Sequence, residues 1–339
     1  MKEAMWYKKL SDERVRCDLC NHRCVISDGE RGICGVRENN DATLYSLVYG
    51  KVIASHVDPI EKKPLFNFFP GSYSFSIATV GCNFKCTHCQ NSDISQMPVD
   101  HARIMGQDIS AEQIVQMAEK NDCKSISYTY TEPTVFMEYA LDVAKIAKDK
   151  GLKNVFVTNG YMTKEVLNDV HPYMDAANVD LKGFTEEHYR SVCSARLKPV
   201  IDTIRLMKQL GVWVEVTTLV IPTVNDSEDE LRKLAEFIFS VGPEVPWHVS
   251  RFHPTYKMNN LPPTPIKTVI KARLIGLEVG LRYVYTGNIP GDEGEKTFCY
   301  NCGKTLIERY GYNIGSVNVK NSKCTYCGSD VDIKFNVEP

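Results

Sequence analysis

Short apolar runs alternate with amphipathic stretches through the middle of the chain. Strands are expected at Ser74–Val80, Ser125–Tyr130, Asn154–Thr158, Ala177–Leu181, Trp213–Leu219, His248–Phe252 and Tyr283–Thr286. Between them, apolar residues recur at helical spacing in Ala111–Lys120, Val135–Lys150, Lys164–Val170, Leu197–Leu210, Glu228–Val241 and Pro265–Gly280. Gly151, Gly211, Gly242 and Gly280 stand at or near the ends of these stretches, where a left-handed C-cap is needed. Repeated strand–helix alternation predicts an α/β fold with a parallel sheet and crossover helices. Its size suits a full or partial (β/α) barrel, which places a site at the C-terminal ends of the strands.

The pattern breaks at both ends, giving an expected organisation of 1–71, 72–294 and 295–339. The first segment carries Cys17, Cys20, Cys24 and Cys34 among glycines. The alternating stretch Ala42–Ala54 predicts a hairpin turning at Gly50. The proline-bounded Asp58–Leu65 predicts an extended connector. The last segment holds two Cys-x2-Cys-Gly knuckles, at Cys299/Cys302 and Cys324/Cys327.

Length, charge and cysteine usage narrow the class. A chain of 339 residues accommodates one large α/β domain with small additions. A net charge of −2 gives no electrostatic case for nucleic acid or a membrane surface. No apolar run is long enough to span a bilayer, and the first residues lack the apolar core of a signal peptide. A cytoplasmic protein is expected. Eleven of the 13 cysteines fall into three tight groups, and only Cys123 and Cys193 stand apart. In a reducing compartment such clustering points to metal rather than disulfides.

The middle group is the most specific. Cys82, Cys86 and Cys89 form Cys-x3-Cys-x2-Cys directly after the first core strand. A closed electron-transfer cluster takes four cysteines. Three leave one iron of a [4Fe–4S] cluster open for a ligand. The competing reading is a zinc knuckle short of a ligand, or three buried thiols. The C-terminal tetrad fits a tetrahedral S4 site for zinc, with rubredoxin-like iron as the alternative. The N-terminal tetrad has irregular spacing and fits structural zinc or an auxiliary iron–sulfur cluster.

These residues together resemble the radical S-adenosylmethionine (SAM) proteins of the AmmeMemoRadiSam system, relatives of the pyruvate formate-lyase activating enzymes. The likeness runs through the N-terminal cysteines, Asp58 to Pro64, the Cys82–Asn91 loop, Tyr128 to Thr134, Asp180 to Lys182, Gly287-Asn288 and the terminal knuckles. It implies cleavage of SAM to a 5′-deoxyadenosyl radical that takes hydrogen from a substrate, with flavodoxin or ferredoxin as reductant. Glycyl-radical activation is one form of that chemistry. Modification of a protein, peptide or metabolite is another. Glu132 is then expected to accept from the SAM amino group, with Thr131 beside it. Here Tyr130-Thr131-Glu132-Pro133 replaces the Gly-Gly-Glu-Pro of the activating enzymes. Asp180 and Lys182 are expected near the ribose or carboxylate, and His88 and His253 against the adenosyl group. Thr158 and Asn159 are expected to meet polar groups of the ligand, and Phe84 to shield the cluster. Outside this class stand a metal-dependent binding or regulatory module and an electron-transfer iron protein.

Overall fold

The computed structural model describes residues 1–336. Its centre is an eight-stranded sheet in which every strand neighbours the next in sequence. In chain order the strands are β1 (Ala54–Pro59), β2 (Tyr73–Ala78), β3 (Ser125–Tyr128), β4 (Lys153–Thr158), β5 (Ala176–Asp180), β6 (Trp213–Val220), β7 (Trp247–Arg251) and β8 (Val284–Gly287). β2 to β8 run parallel, and β1 pairs antiparallel with β2. The crossover helices are α1 (Ala111–Lys120), α2 (Met137–Asp149), α3 (Lys164–Val170), α4 (Leu197–Gln209), α5 (Glu228–Val241) and α6 (Ile266–Val279).

Local chemistry sets the helix starts. Ser110 and Gln113 form a reciprocal capping box at α1, Thr163 caps α3, and Ser227 caps α5 ahead of three acidic residues. Gly280 ends α6 with a φ of 109°, a conformation that costs other residues a Cβ clash.

The sheet does not close, so the partial form of the barrel is the one found. The loop after β1 packs instead against β5 to β8. Phe66 and Asn67 donate their backbone N–H groups to Glu215 of β6, and Asn178 of β5 donates to the Pro64 carbonyl. Phe66 packs against His248 and Tyr285 at centroid distances of 4.8 Å. Asp58–Leu65 is likewise no simple connector: its start belongs to β1, and Ile60–Lys62 forms a 3₁₀ turn. The expected hairpin at Gly50 is displaced. Arg37–Asn40 pairs with Thr43–Ser46 instead, across Asp41 and Ala42, both left-handed as a tight two-residue hairpin turn requires.

The C-terminal segment forms a three-stranded antiparallel ribbon from Thr297–Phe298, Thr305–Tyr310 and Asn313–Val317. It docks on the loop after β1. Arg309 donates to the Phe66 carbonyl at 2.6 Å, Asn67 donates to the Asp332 carbonyl, and Lys334 exchanges backbone hydrogen bonds with Asn67 and Phe69. No helix among the described residues is long and apolar enough to cross a membrane.

Candidate active site

The C-terminal ends of the parallel strands open into a cleft of about 520 Å³. The loop after β2 brings Cys82, Phe84, Cys86, His88 and Cys89 to it. Gly81 starts that loop at φ 104°, and a Cβ there would lie 2.7 Å from Val36. The loop is pinned along its length. Lys85 and Thr87 donate backbone N–H groups to Cys193 and Val192, and Gln96 donates to the Phe84 carbonyl. The Phe84 N–H points at the Cys82 sulfur at 3.3 Å, and the Ser95 hydroxyl lies 3.1 Å from the Cys89 sulfur. Phe84 is fully buried, its ring edge-on to Tyr161 and Tyr189.

The next strands supply the polar wall. After β3, Glu132 is 2% exposed. Its Oε1 accepts from Thr134 N–H at 3.0 Å and Thr158 Oγ1 at 2.7 Å, and its Oε2 accepts from Asn159 N–H at 2.8 Å. Burial raises the Glu132 carboxyl, and these donors oppose that rise. Glu132 thus also caps the short Pro133–Phe136 turn. Oε1 also takes the Thr134 hydroxyl, so Oε2 keeps the spare acceptor position. Thr131 bonds the Thr79 carbonyl and lines the cleft. Asn159 reaches back to Asn83 at 2.7 Å, tying the end of β4 to the cysteine loop.

Asp180 and Lys182 pair at 2.9 Å on the cleft wall. Burial would lower the Lys182 ammonium, but Asp180, Cys86 and Cys193 outweigh it and raise it. His88 is buried, its Nδ1 has no partner, and burial with the Lys182 charge lowers it to about 3. It is a neutral ring at physiological pH. His253 is exposed and does not line the cleft.

Several cleft residues carried no signal of their own in the sequence. Lys62, Lys63 and Tyr130 line the wall facing β1. Asp58 accepts from Lys62 at 2.8 Å, from Lys63 at 2.6 Å and from the Tyr130 hydroxyl. Burial alone would raise Asp58, yet these three donors hold it well below the usual carboxylate range. Burial pulls the Lys63 ammonium down to about 8. Tyr130 adopts φ 62°, so the left-handed backbone that a glycine favours persists without one. Tyr312, from the C-terminal ribbon, also reaches the cleft. Cys193 lies against Cys86, a contact invisible at a spacing of over a hundred residues.

The three cysteine groups differ in geometry. Cys299, Cys302, Cys324 and Cys327 have sulfurs all within 4.8 Å of one another, with facing pairs at 3.7 and 3.8 Å. A metal–sulfur bond of about 2.3 Å gives a tetrahedron edge of about 3.8 Å, so this tetrad matches a single ion. Ser329 and nearby N–H groups lower the exposed Cys327 thiol to about 6. No three of the other cysteines come this close among the described residues. The Cys82 loop therefore suits a polynuclear cluster better than one ion. His88 Nδ1, on the cleft wall, is buried without a partner, which suits a polar ligand. A second cleft, of about 470 Å³, lies at the opposite strand ends by Asp175, Trp213 and Pro246, and contains none of these groups.

Comparison with known proteins agrees with the architecture. A family description, the radical SAM superfamily, matches residues 76–238, from within β2 into α5. MJ0808, an uncharacterized protein of Methanocaldococcus jannaschii, is 49% identical over 98% of this chain and 99% of its own. A pyruvate formate-lyase-activating enzyme of Clostridium pasteurianum is 22% identical over 48% of this chain and 67% of its own. The crystal structure of Streptococcus suis SuiB bound to S-adenosylmethionine is similar in fold, with a TM-score of 0.50 and 13% identity over 68% of this chain and 54% of that one. The chain carries a radical SAM domain, a fold that implies a [4Fe–4S] cluster and SAM.

Proposed function

We propose that this protein is a radical SAM enzyme whose cluster is held by Cys82, Cys86 and Cys89, with SAM on the fourth iron. One observation carries the reading: three sulfurs from one loop open into the same cleft as Glu132, Asn159, Asp180 and Lys182. When bound, cluster and SAM supply one-electron cleavage of a sulfonium carbon–sulfur bond and a carbon radical that abstracts hydrogen.

The chain's own residues bind, orient and shield. The spare acceptor position on Glu132 Oε2 suits an ammonium. Lys182 offers a cation to a carboxylate, and Asp180 an acceptor to ribose hydroxyls. His88, neutral and partly unpaired, offers a flat ring and one free nitrogen to an adenosyl group. Thr131 and Thr158 add hydroxyls to the same wall. Phe84 keeps water from the sulfurs, which favours a low cluster potential. His253 takes no part in this arrangement. The electron comes from a flavodoxin- or ferredoxin-type donor. The C-terminal tetrad holds zinc or iron.

The substrate is a protein, peptide or metabolite reached through the mouth bounded by Lys62 and Tyr312. Activation of a glycyl-radical partner is the second reading, favoured by the relative named as a pyruvate formate-lyase-activating enzyme.

The test is anaerobic reconstitution with iron and sulfide, reduction, addition of SAM, and quantification of 5′-deoxyadenosine and methionine. Equal release of both, abolished in Cys86→Ala, supports the proposal. A reducible cluster whose EPR spectrum ignores SAM, with no cleavage, overturns it.

A further inference from the structure

A pocket lined by four cysteines lies behind the Cys82 loop. Cys17, Cys20, Cys24 and Cys34 all line it, although they come from separate turns and strands of the N-terminal segment. Leu19, Ile26, Ile33 and Val135 close it with apolar side chains. None of the four cysteines is in a disulfide.

Two further lining residues bring unmet hydrogen-bond donors. Arg37 is 1% exposed and gives one nitrogen, Nη2, to Glu138, but its Nε and Nη1 have no partner. Asn83 is 1% exposed and its Nδ2 has no partner. A buried donor without an acceptor is costly, so such groups call for an acceptor in the pocket. Glu138 already balances the charge of Arg37. What the pocket lacks is acceptor atoms, which thiolates and inorganic sulfides supply.

The spacing selects the kind of centre. The C-terminal tetrad shows how this chain arranges four sulfurs for one ion, all within 4.8 Å. In the N-terminal tetrad no three sulfurs are that close, as in the Cys82 loop. A cubane places each thiolate on its own iron, so its thiolates stand further apart than around a single ion. Four cysteines also leave no iron open, which separates this site from the SAM site in kind.

We propose that Cys17, Cys20, Cys24 and Cys34 bind a second, fully ligated [4Fe–4S] cluster, with Arg37 and Asn83 donating to its sulfurs. It lies one residue from the proposed SAM cluster. Cys82 opens on the cleft, Asn83 opens on the pocket, and His22 of the pocket bonds the Asn83 carbonyl at 2.8 Å.

The test uses the full chain, reconstituted anaerobically, and counts iron, acid-labile sulfide and zinc. Two cubanes give about eight irons in clusters and about eight sulfides per chain. The C-terminal site adds one metal and no sulfide. The triple variant Cys82→Ala, Cys86→Ala, Cys89→Ala is expected to keep half of the sulfide, with an EPR signal that SAM leaves unchanged. A folded triple variant without sulfide overturns the proposal, as does a second zinc per wild-type chain. Should the triple variant fail to fold, the wild-type sulfide count decides: about eight supports the second cluster and about four overturns it. Failure of the SAM reading would show separately, as absent SAM cleavage with the second cluster still present.

Discussion

The Cys193 thiol lies beside Cys86, where it can donate to its sulfur, and it is the main cause that lowers the Cys86 thiol. It comes from the turn at Tyr189–Cys193, which also accepts two backbone bonds from the cysteine loop. Hydrogen bonds to cluster sulfurs raise the reduction potential. Cys193→Ala is therefore expected to retain the cluster and to move its potential to more negative values. An EPR-monitored redox titration checks this. Loss of the cluster instead would make Cys193 a ligand.

Glu132→Gln keeps the size of the side chain but removes the charge that Asn159 and Thr158 serve. A charge-assisted hydrogen bond is worth about 1.5–3 kcal/mol, so SAM binding is expected to weaken about ten- to a hundredfold. Titration of the reconstituted cluster with SAM, followed by EPR, measures it. Unchanged affinity would assign Glu132 to capping alone.

Asp58→Asn removes the anion between Lys62, Lys63 and Tyr130. Lys63 is 1% exposed, so it is left as an unpaired buried cation, a loss on the order of 3–5 kcal/mol. Urea unfolding at neutral pH measures the cost. The pH dependence has a definite sign. The folded Asp58 carboxyl is held below its ordinary 3.8, so its contribution is present above that value and fades as pH falls below it. In Asp58→Asn the slope of stability against pH in the acid range is expected to flatten.

Arg37 and Glu138 form an ion pair with both side chains 1% exposed. Glu138→Gln strands the guanidinium beside the N-terminal cysteines, and a loss of about 3–5 kcal/mol is expected. Joint replacement of the pair by apolar residues is expected to recover much of it in a thermal melt, at the expense of N-terminal iron.

Stripping the C-terminal tetrad with a thiol reagent is expected to release one metal ion per chain. Asp332 and Lys334, just after the second knuckle, hold the loop after β1 through Asn67 and Phe69, so hydrogen exchange should rise at residues 64–71 as well as in the ribbon. Exchange confined to the ribbon would show that this docking does not depend on the metal.

The parallel sheet was legible because its strands are short β-branched runs and its helices keep strict apolar spacing. Ala111–Lys120, Lys164–Val170 and Glu228–Val241 fall where that spacing puts them. The C-terminal cysteine tetrad was legible from spacing alone. The Asp58 cluster was not. Asp58–Leu65 reads as an extended connector, and nothing local says that Tyr130 and Lys63 converge on the carboxylate. The open sheet was hidden for a similar reason. The loop of Phe66 and Asn67 packs on the sheet through Glu215 and Tyr285, both far away in sequence. Tyr130 misled in the opposite direction, since its residue type departs from glycine while its backbone does not.

Tyr312 reaches the cleft from a ribbon whose second knuckle, Cys324 and Cys327, comes later in the chain. During synthesis the ribosome releases the sheet and the cysteine loop first, and this wall residue before the thiols that complete its support. The wall that Tyr312 adds is therefore the last part of the cleft to be made.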